Sequence, residues 1–200
     1  MNIYIIGSGI VGLTIGIKIK ERLTCSKVTI IEKEELSIKH GSGRNSGIIH
    51  SGVYYPSETL KAKLCIDGAK QLKNYVKNKK LWIDECGKIL VPTNDISYRN
   101  LDLLIKRAKE NNVEANLISN TEAIKLEPNI SPNFEKAILI PFTSIVNPKE
   151  VMNSLLKDFI SLGGEINYNE EVLSIDSEIN KIKTKKNYFN FDYVINCSGL

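Results

Sequence analysis

Gly7, Gly9 and Gly12, spaced Gly-x-Gly-x-x-Gly, end one apolar run (Ile3-Tyr4-Ile5-Ile6) and open a helical pattern with no gap between. A strand that turns straight into a helix places strict demands on those three positions. Gly7 allows the tight turn, Gly9 lets a pyrophosphate approach the backbone, and Gly12 lets the helix lie close against the strand. The first N–H groups of a helix have no partner within it, and the helix dipole is positive there. The motif therefore predicts an anion, a pyrophosphate, over Gly9, Val11 and Gly12. Gly16 extends the small-residue face by a turn.

The context agrees with the motif. Val28-Thr29-Ile30-Ile31 reads as a second short strand, and Glu32 follows it, 20 residues after Gly12. That is where a dinucleotide fold sets the acid that accepts hydrogen bonds from ribose hydroxyls. The same acid would repel a 2′-phosphate, which argues against NADP and leaves FAD and NAD.

The 200 residues, 42% hydrophobic and 25% charged, suffice for a sizeable core. The net charge of +4 is spread over lysines interleaved with acids, so nucleic acid is not an expected partner. Lys181 to Lys186 alternates with Ile182 and Thr184, as on the outer face of a strand. Cys25, Cys65, Cys86 and Cys197 lie far apart without metal-ligand spacing, so no metal is expected. They fit reduced thiols in the cytoplasm. The first apolar run carries the glycine motif and no basic leader, so no signal peptide is expected, and no apolar stretch reaches membrane-spanning length.

Along the chain, strands are expected at 3–6 and 27–31, with a helix over 10–22 whose inward residues are Ile10, Leu13, Ile17 and Ile19. A long helix over 57–79 is capped by Ser57, with Leu60, Leu64, Cys65, Leu72, Tyr75 and Val76 at helical spacing and Gly68 marking a close approach. Residues 81–146 alternate short strands and helices and read as an inserted α+β domain. Asn147-Pro148-Lys149-Glu150 starts a helix that stops at Gly163-Gly164. Four short strands follow, and Tyr193 to Leu200 reads as a buried strand running into Cys197-Ser198-Gly199. The expected division is 1–80 with 147–200 as one discontinuous domain, and 81–146 as the insertion.

A further stretch carries chemistry: Gly41-Ser42-Gly43-Arg44-Asn45-Ser46-Gly47-Ile48-Ile49-His50-Ser51-Gly52-Val53-Tyr54-Tyr55. Its backbone N–H groups and Arg44 could surround an anion. The residues alone leave open an anion-holding segment or a packed turn with a hydrogen-bonded histidine.

Together, residues 3–32, 41–65 and 193–200 resemble the FAD-dependent oxidoreductases of the D-amino-acid-oxidase and glycerol-3-phosphate-dehydrogenase superfamily. Arg44 to Tyr55, followed by Leu60-Lys61-Ala62-Lys63-Leu64-Cys65, resembles the L-2-hydroxyglutarate oxidase/dehydrogenase branch. Tyr54 stands where the glycerol-phosphate branch has an arginine. The resemblance implies an α/β fold: a Rossmann-like FAD-binding domain, with a parallel sheet and a small β-meander, and an inserted substrate or cap domain. It implies FAD held by Gly7, Gly9, Val11, Gly12, Glu32, Arg44, Asn45, Ser46, Gly47, the Val172 backbone, Cys197, Ser198 and Gly199. It further implies His50 as the base, with Ser51, Tyr54 and Lys61 (or Lys63) on the substrate and Phe142 to Val146 lining the site.

The implied reaction oxidises a 2-hydroxy acid, L-2-hydroxyglutarate first, to the 2-oxo acid, with hydride passing to flavin N5 and oxygen or a quinone as final acceptor. A quinone would bring the protein to the inner face of the membrane. Imidazole titrates near neutrality, which suits a base at that step. The alternatives are oxidation of an amine or glycerol 3-phosphate by the same superfamily, or a non-catalytic FAD-binding remnant. Family members are far longer, so the expectation is an N-terminal half, completed by further sequence or by a second chain.

Overall fold

A computed structural model describes residues 1–130 and 133–199. In chain order the elements are β1 (Asn2–Ile6), α1 (Ile10–Arg22), β2 (Lys27–Ile31), a 3-10 turn (Gly41–Gly43), β3 (Ile48–Ile49), α2 (Leu60–Asn78), β4 (Ile83–Asp84) and β5 (Lys88–Leu90). Then come α3 (Asp95–Arg99), α4 (Leu101–Glu110), β6 (Asn116–Ser119), α5 (Asn120–Leu126), β7 (Lys136–Ile140) and β8 (Ser144–Val146). The remainder is α6 (Pro148–Ser161), β9 (Glu165–Asn167), β10 (Val172–Asp176), β11 (Lys181–Thr184), β12 (Tyr188–Asn190) and β13 (Tyr193–Asn196). The chain divides into two compact units, Met1–Ser46 with Pro148–Leu200, and Gly47–Asn147.

The first unit is built on a parallel sheet in the order β13-β1-β2-β9. Successive side chains of a strand point to opposite faces, so β1 serves two layers. Ile5 meets α1 beside Gly12 and Gly16. Tyr4 meets Phe189 of the antiparallel meander β10-β11-β12, ring centroids 5.4 Å apart. α1 and α6 pack on each other where Gly16 faces the fully buried Phe159; a Cβ there would lie 2.7 Å from the ring. On the meander side, Ile31, Ile182 and Phe191 form a small core with Val172 and Val194 packed against it. Ile182 and Thr184 face inward from β11, as its alternation predicts.

The second unit holds two antiparallel three-stranded sheets, β3-β8-β4 and β5-β7-β6. Its core gathers Val53, Leu101, Ala108, Val113, Ile138 and Ile140, with Ile66, Leu104 and Ile105 packed against them. Residues 47–80 belong here, so the expected boundary at 80 moves to 46/47. β3 pairs with β8, Val53 sits in this core, and Lys73 of α2 donates to the Phe142 carbonyl (2.7 Å) and Glu85 (3.1 Å). Such long-range pairing carries no local sequence signal.

Five local expectations also change. The cap of α2 is Thr59, whose hydroxyl accepts from the Ala62 N–H, and not Ser57. The buried stripe of α2 is Ala62, Ala69, Lys73 and Val76, while Leu60 and Leu64 are exposed. Ile10 is likewise exposed, and Leu13, Gly16 and Ile17 make the inner face of α1. A Cβ at Gly68 would meet nothing within 4 Å, so no close approach occurs there. β13 is an edge strand among the described residues, with Tyr193 exposed rather than buried; Leu200 lies outside the described residues.

Candidate functional site

In the first unit a cavity of about 790 Å3 opens at the C-terminal ends of β1 and β2. Gly7, Gly9, Val11, Glu32, Val172, Cys197, Ser198 and Gly199 all line it. Gly7 has φ +98°, a left-handed value that disfavours any side chain, and its Cβ would lie 2.6 Å from the Cys197 carbonyl oxygen. Gly12 lies behind the wall; a Cβ there would come within 2.0 Å of the Gly7 carbonyl oxygen. The turn and the helix can therefore approach only as glycine. Gly9 caps α1 without a side chain, and the first turn of α1 holds no acid, so nothing on α1 itself offsets the positive end of its dipole.

Glu32 directly follows β2 and is almost fully buried. Its Oε2 accepts from the Ser8 N–H (2.8 Å) and the Ser8 hydroxyl (2.6 Å), and its Oε1 from the Glu34 N–H (3.0 Å). One carboxylate thus ties the glycine turn to β2 and still borders the cavity. Two further residues were not legible as site residues. Ser42 lines the cavity, and its hydroxyl accepts from the first helical N–H, Ile10, at 3.0 Å. It sits in the Gly-Ser-Gly run, whose flexible polar composition was the available signal. Glu170 also lines the cavity, buried, with Oε1 accepting from Asn187 and Oε2 without a partner among the described residues. No sequence signal marks it, because only the turn from β9 to β10 brings it there. Glu171, in the same wall, is held below the usual carboxylate range by its hydrogen bond and charge pairing with Lys185. Burial pushes the Cys197 thiol up.

Arg44, Asn45 and Ser46 are exposed and do not line this cavity. Asn45 instead closes the 3-10 turn, donating to the Gly41 (3.1 Å) and Ser42 (2.9 Å) carbonyls. Gly47 opens the second unit, its carbonyl accepting from the Val146 N–H at 2.9 Å.

The second unit has its own cavity of about 70 Å3, lined by His50, Ser51, Gly52, Tyr54, Tyr55, Lys88 and Thr143. His50 is exposed; its carbonyl accepts from the Cys65 thiol at 3.7 Å. Ser51 and Thr143 are buried, and the Thr143 hydroxyl has no partner among the described residues. Lys88 Nζ donates to the Tyr54 hydroxyl (3.1 Å) and lies 4.7 Å from that ring's centroid. The loop is pinned from beneath. Arg107 donates to the Tyr54 carbonyl (3.0 Å), and Asn111 to the Gly52 (3.3 Å) and Tyr55 (2.9 Å) carbonyls. Lys61 does not line this cavity; its ammonium lies 4.6 Å from the Tyr55 ring centroid. Of residues 142–146, only Thr143 lines it.

The pattern of the family described as DAO, FAD dependent oxidoreductase, matches residues 2–200. The chain belongs to that family. Within it, L-2-hydroxyglutarate dehydrogenase of Indibacter alkaliphilus is 36% identical over all of this chain and 50% of its own length. The Escherichia coli K12 protein of the same name is 34% identical, over all of this chain and 47% of its own. The human mitochondrial protein of that name is also 34% identical, over all of this chain and 46% of its own. The chain spans about half the length of the curated relatives it matches. Among solved structures, glycine oxidase from Geobacillus kaustophilus superposes with a TM-score of 0.88 at 20% identity, over 98% of this chain and 55% of its own. L-alpha-glycerophosphate oxidase from Mycoplasma pneumoniae, solved with FAD bound, gives 0.82 at 23%, over 96% and 52%. These two likenesses establish the fold.

FAD is the cofactor of this family, and the first cavity fits it. A volume of about 790 Å3 lies in the range of cofactor sites. Its wall offers a helix N-terminus free of acids, a glycine where phosphate would touch backbone, and buried carboxylates that can accept from hydroxyl or amine groups. Among the described residues, no helix is long and apolar enough to cross a membrane.

Proposed function

We propose that this chain binds FAD and contributes to oxidation of a 2-hydroxy acid, L-2-hydroxyglutarate, to 2-oxoglutarate. The observation that carries this reading is the identity of about one third, along the whole chain, to proteins named for that substrate. The cavity walled by the glycine turn and Glu32 supports it. In this reading the α1 N-terminus at Gly9, Val11 and Gly12 holds the pyrophosphate, and Glu32 accepts from the ribose hydroxyls. The Val172 backbone contacts adenine, and Cys197, Ser198 and Gly199 face the cofactor.

FAD, when bound, supplies the two-electron acceptor that no side chain can provide. His50 takes the substrate hydroxyl proton on an imidazole nitrogen as the hydride leaves C2, so the C2–O bond gains its second order. Ser51 and Tyr54 contact the substrate, and oxygen or a quinone receives the electrons afterwards. A C-terminal half, in the same or a second chain, completes the site.

The test is the visible spectrum of the purified protein, followed by anaerobic L-2-hydroxyglutarate. Flavin bands that bleach on addition are expected, and His50→Asn is expected to retain the bands and bleach at least about 100-fold more slowly. Bands that ignore every 2-hydroxy acid would refute the activity. Absence of FAD binding would refute the whole proposal.

A further inference from the structure

We infer that Lys88, held in place by Tyr54, is the cationic contact for a carboxylate of the substrate, in a subsite walled by Ser51 and Thr143. The inference rests on the function proposed above and names the group that selects an acid.

The argument begins with the cavity. At about 70 Å3 it offers the liquid-volume share of roughly two waters, enough for one carboxylate. Lys88 is the one Lys or Arg in its wall among the described residues. An ammonium has three donors, and the Tyr54 hydroxyl takes one. No carboxylate is paired with Lys88 among the described residues. Such a group, folded over the Tyr54 ring, is a charge without a counter-ion among the described residues at the wall of a small recess.

The surroundings hold it there. Lys88 begins β5, in register with Ile140 of β7. The Gly87 N–H donates to the Thr143 carbonyl at 3.1 Å, which fixes Thr143 beside the start of the strand. Thr143 is 3% exposed, and its hydroxyl is unpaired. A buried hydroxyl without a partner is costly, and Thr143 stands in the wall of the recess. Tyr54 is equally constrained, since Arg107 and Asn111 pin the backbone on both sides of its side chain. A recess whose parts are already in place spends little ordering entropy on capturing an anion. Lys61, the cation that motif spacing suggests, lies over Tyr55 and outside this wall.

The experiment compares Lys88→Met and Lys88→Arg with the parent FAD-loaded protein. L-2-hydroxyglutarate and L-2-hydroxybutyrate serve as diacid and monoacid substrates, and calorimetric titration with glutarate reads binding without turnover. The expected result is a KM for the diacid at least about tenfold higher in Lys88→Met, with kcat within about threefold and partial recovery in Lys88→Arg. A loss confined to the diacid assigns Lys88 to the distal carboxylate; a loss shared by the monoacid assigns it to the carboxylate beside C2. Unchanged KM and glutarate affinity would overturn the inference. So would kcat and thermal midpoint falling alike in both variants, since that marks a structural role. If the parent oxidises neither acid but binds glutarate in a Lys88-dependent way, the proposed function fails while the subsite stands.

Discussion

Glu32→Gln separates the role that the structure gives this carboxylate, holding the glycine turn, from the ribose contact proposed for it. The parent side chain accepts three hydrogen bonds, two from Ser8 and one from the Glu34 N–H, at a position only 7% exposed. The amide keeps one acceptor oxygen and turns the other site into a donor. Either the Ser8 N–H or the Glu34 N–H then faces an N–H2 group and stays unpaired. Leaving one such donor unsatisfied costs about 1–3 kcal/mol. For a slope of about 2–3 kcal/mol/M, the urea midpoint of the FAD-free protein should fall by about 0.3–1.5 M. FAD affinity should fall separately, by about 10- to 100-fold, because a charged acceptor for ribose hydroxyls is lost. Flavin fluorescence titration reads the second number and urea denaturation the first. A variant that loses FAD affinity with an unchanged midpoint would refute the claim that Glu32 holds the glycine turn. A lowered midpoint with unchanged affinity would refute the ribose contact.

Two glycine-to-alanine changes should move stability in opposite directions. Gly68→Ala fills open space within α2 and should stabilise by about 0.5–1 kcal/mol, whereas Gly16→Ala pushes a methyl against the Phe159 ring and should cost about 1–3 kcal/mol; thermal melts decide both. Burial holds the Cys65 and Cys197 thiols above their ordinary value, whereas Cys25 and Cys86 are exposed. Iodoacetamide at pH 8 should therefore label Cys25 and Cys86 first, as read by peptide mass, and FAD should further protect Cys197, which lines the first cavity. Because the fold favours the protonated thiols, their contribution to stability is intact below the ordinary value of 9.0 and is lost as pH rises through the raised values. Urea midpoints across pH 8–10.5 should decline, and Cys65→Ser should flatten that decline.

The first unit was legible because its signals are local. An apolar run, three glycines at fixed spacing, a second β-branched run and an acid together specify strand, turn, helix, strand and a carboxylate at the cavity wall within residues 2–32. Pro148 after Asn147 and the Gly163-Gly164 stop delimited α6 in the same way. These features act through backbone sterics and hydrogen bonding within a few residues, so the order of the chain is enough to read them.

Tertiary structure decided the rest, because it depends on which distant residues meet. Pairing of Ile48–Ile49 with Ser144 and Ile145 draws residues 47–80 into the second unit. Helical periodicity offered Leu60 and Leu64 as buried, but the packed side of α2 is Ala62, Ala69 and Val76. Periodicity identifies a stripe and leaves open which stripe a neighbour covers. Glu170 reaches the first cavity through a turn, and Lys88 reaches the second through its register with β7. A lysine at the start of a short strand looks like any solvated lysine. Only the fold shows it lying over Tyr54 with no carboxylate paired to it among the described residues.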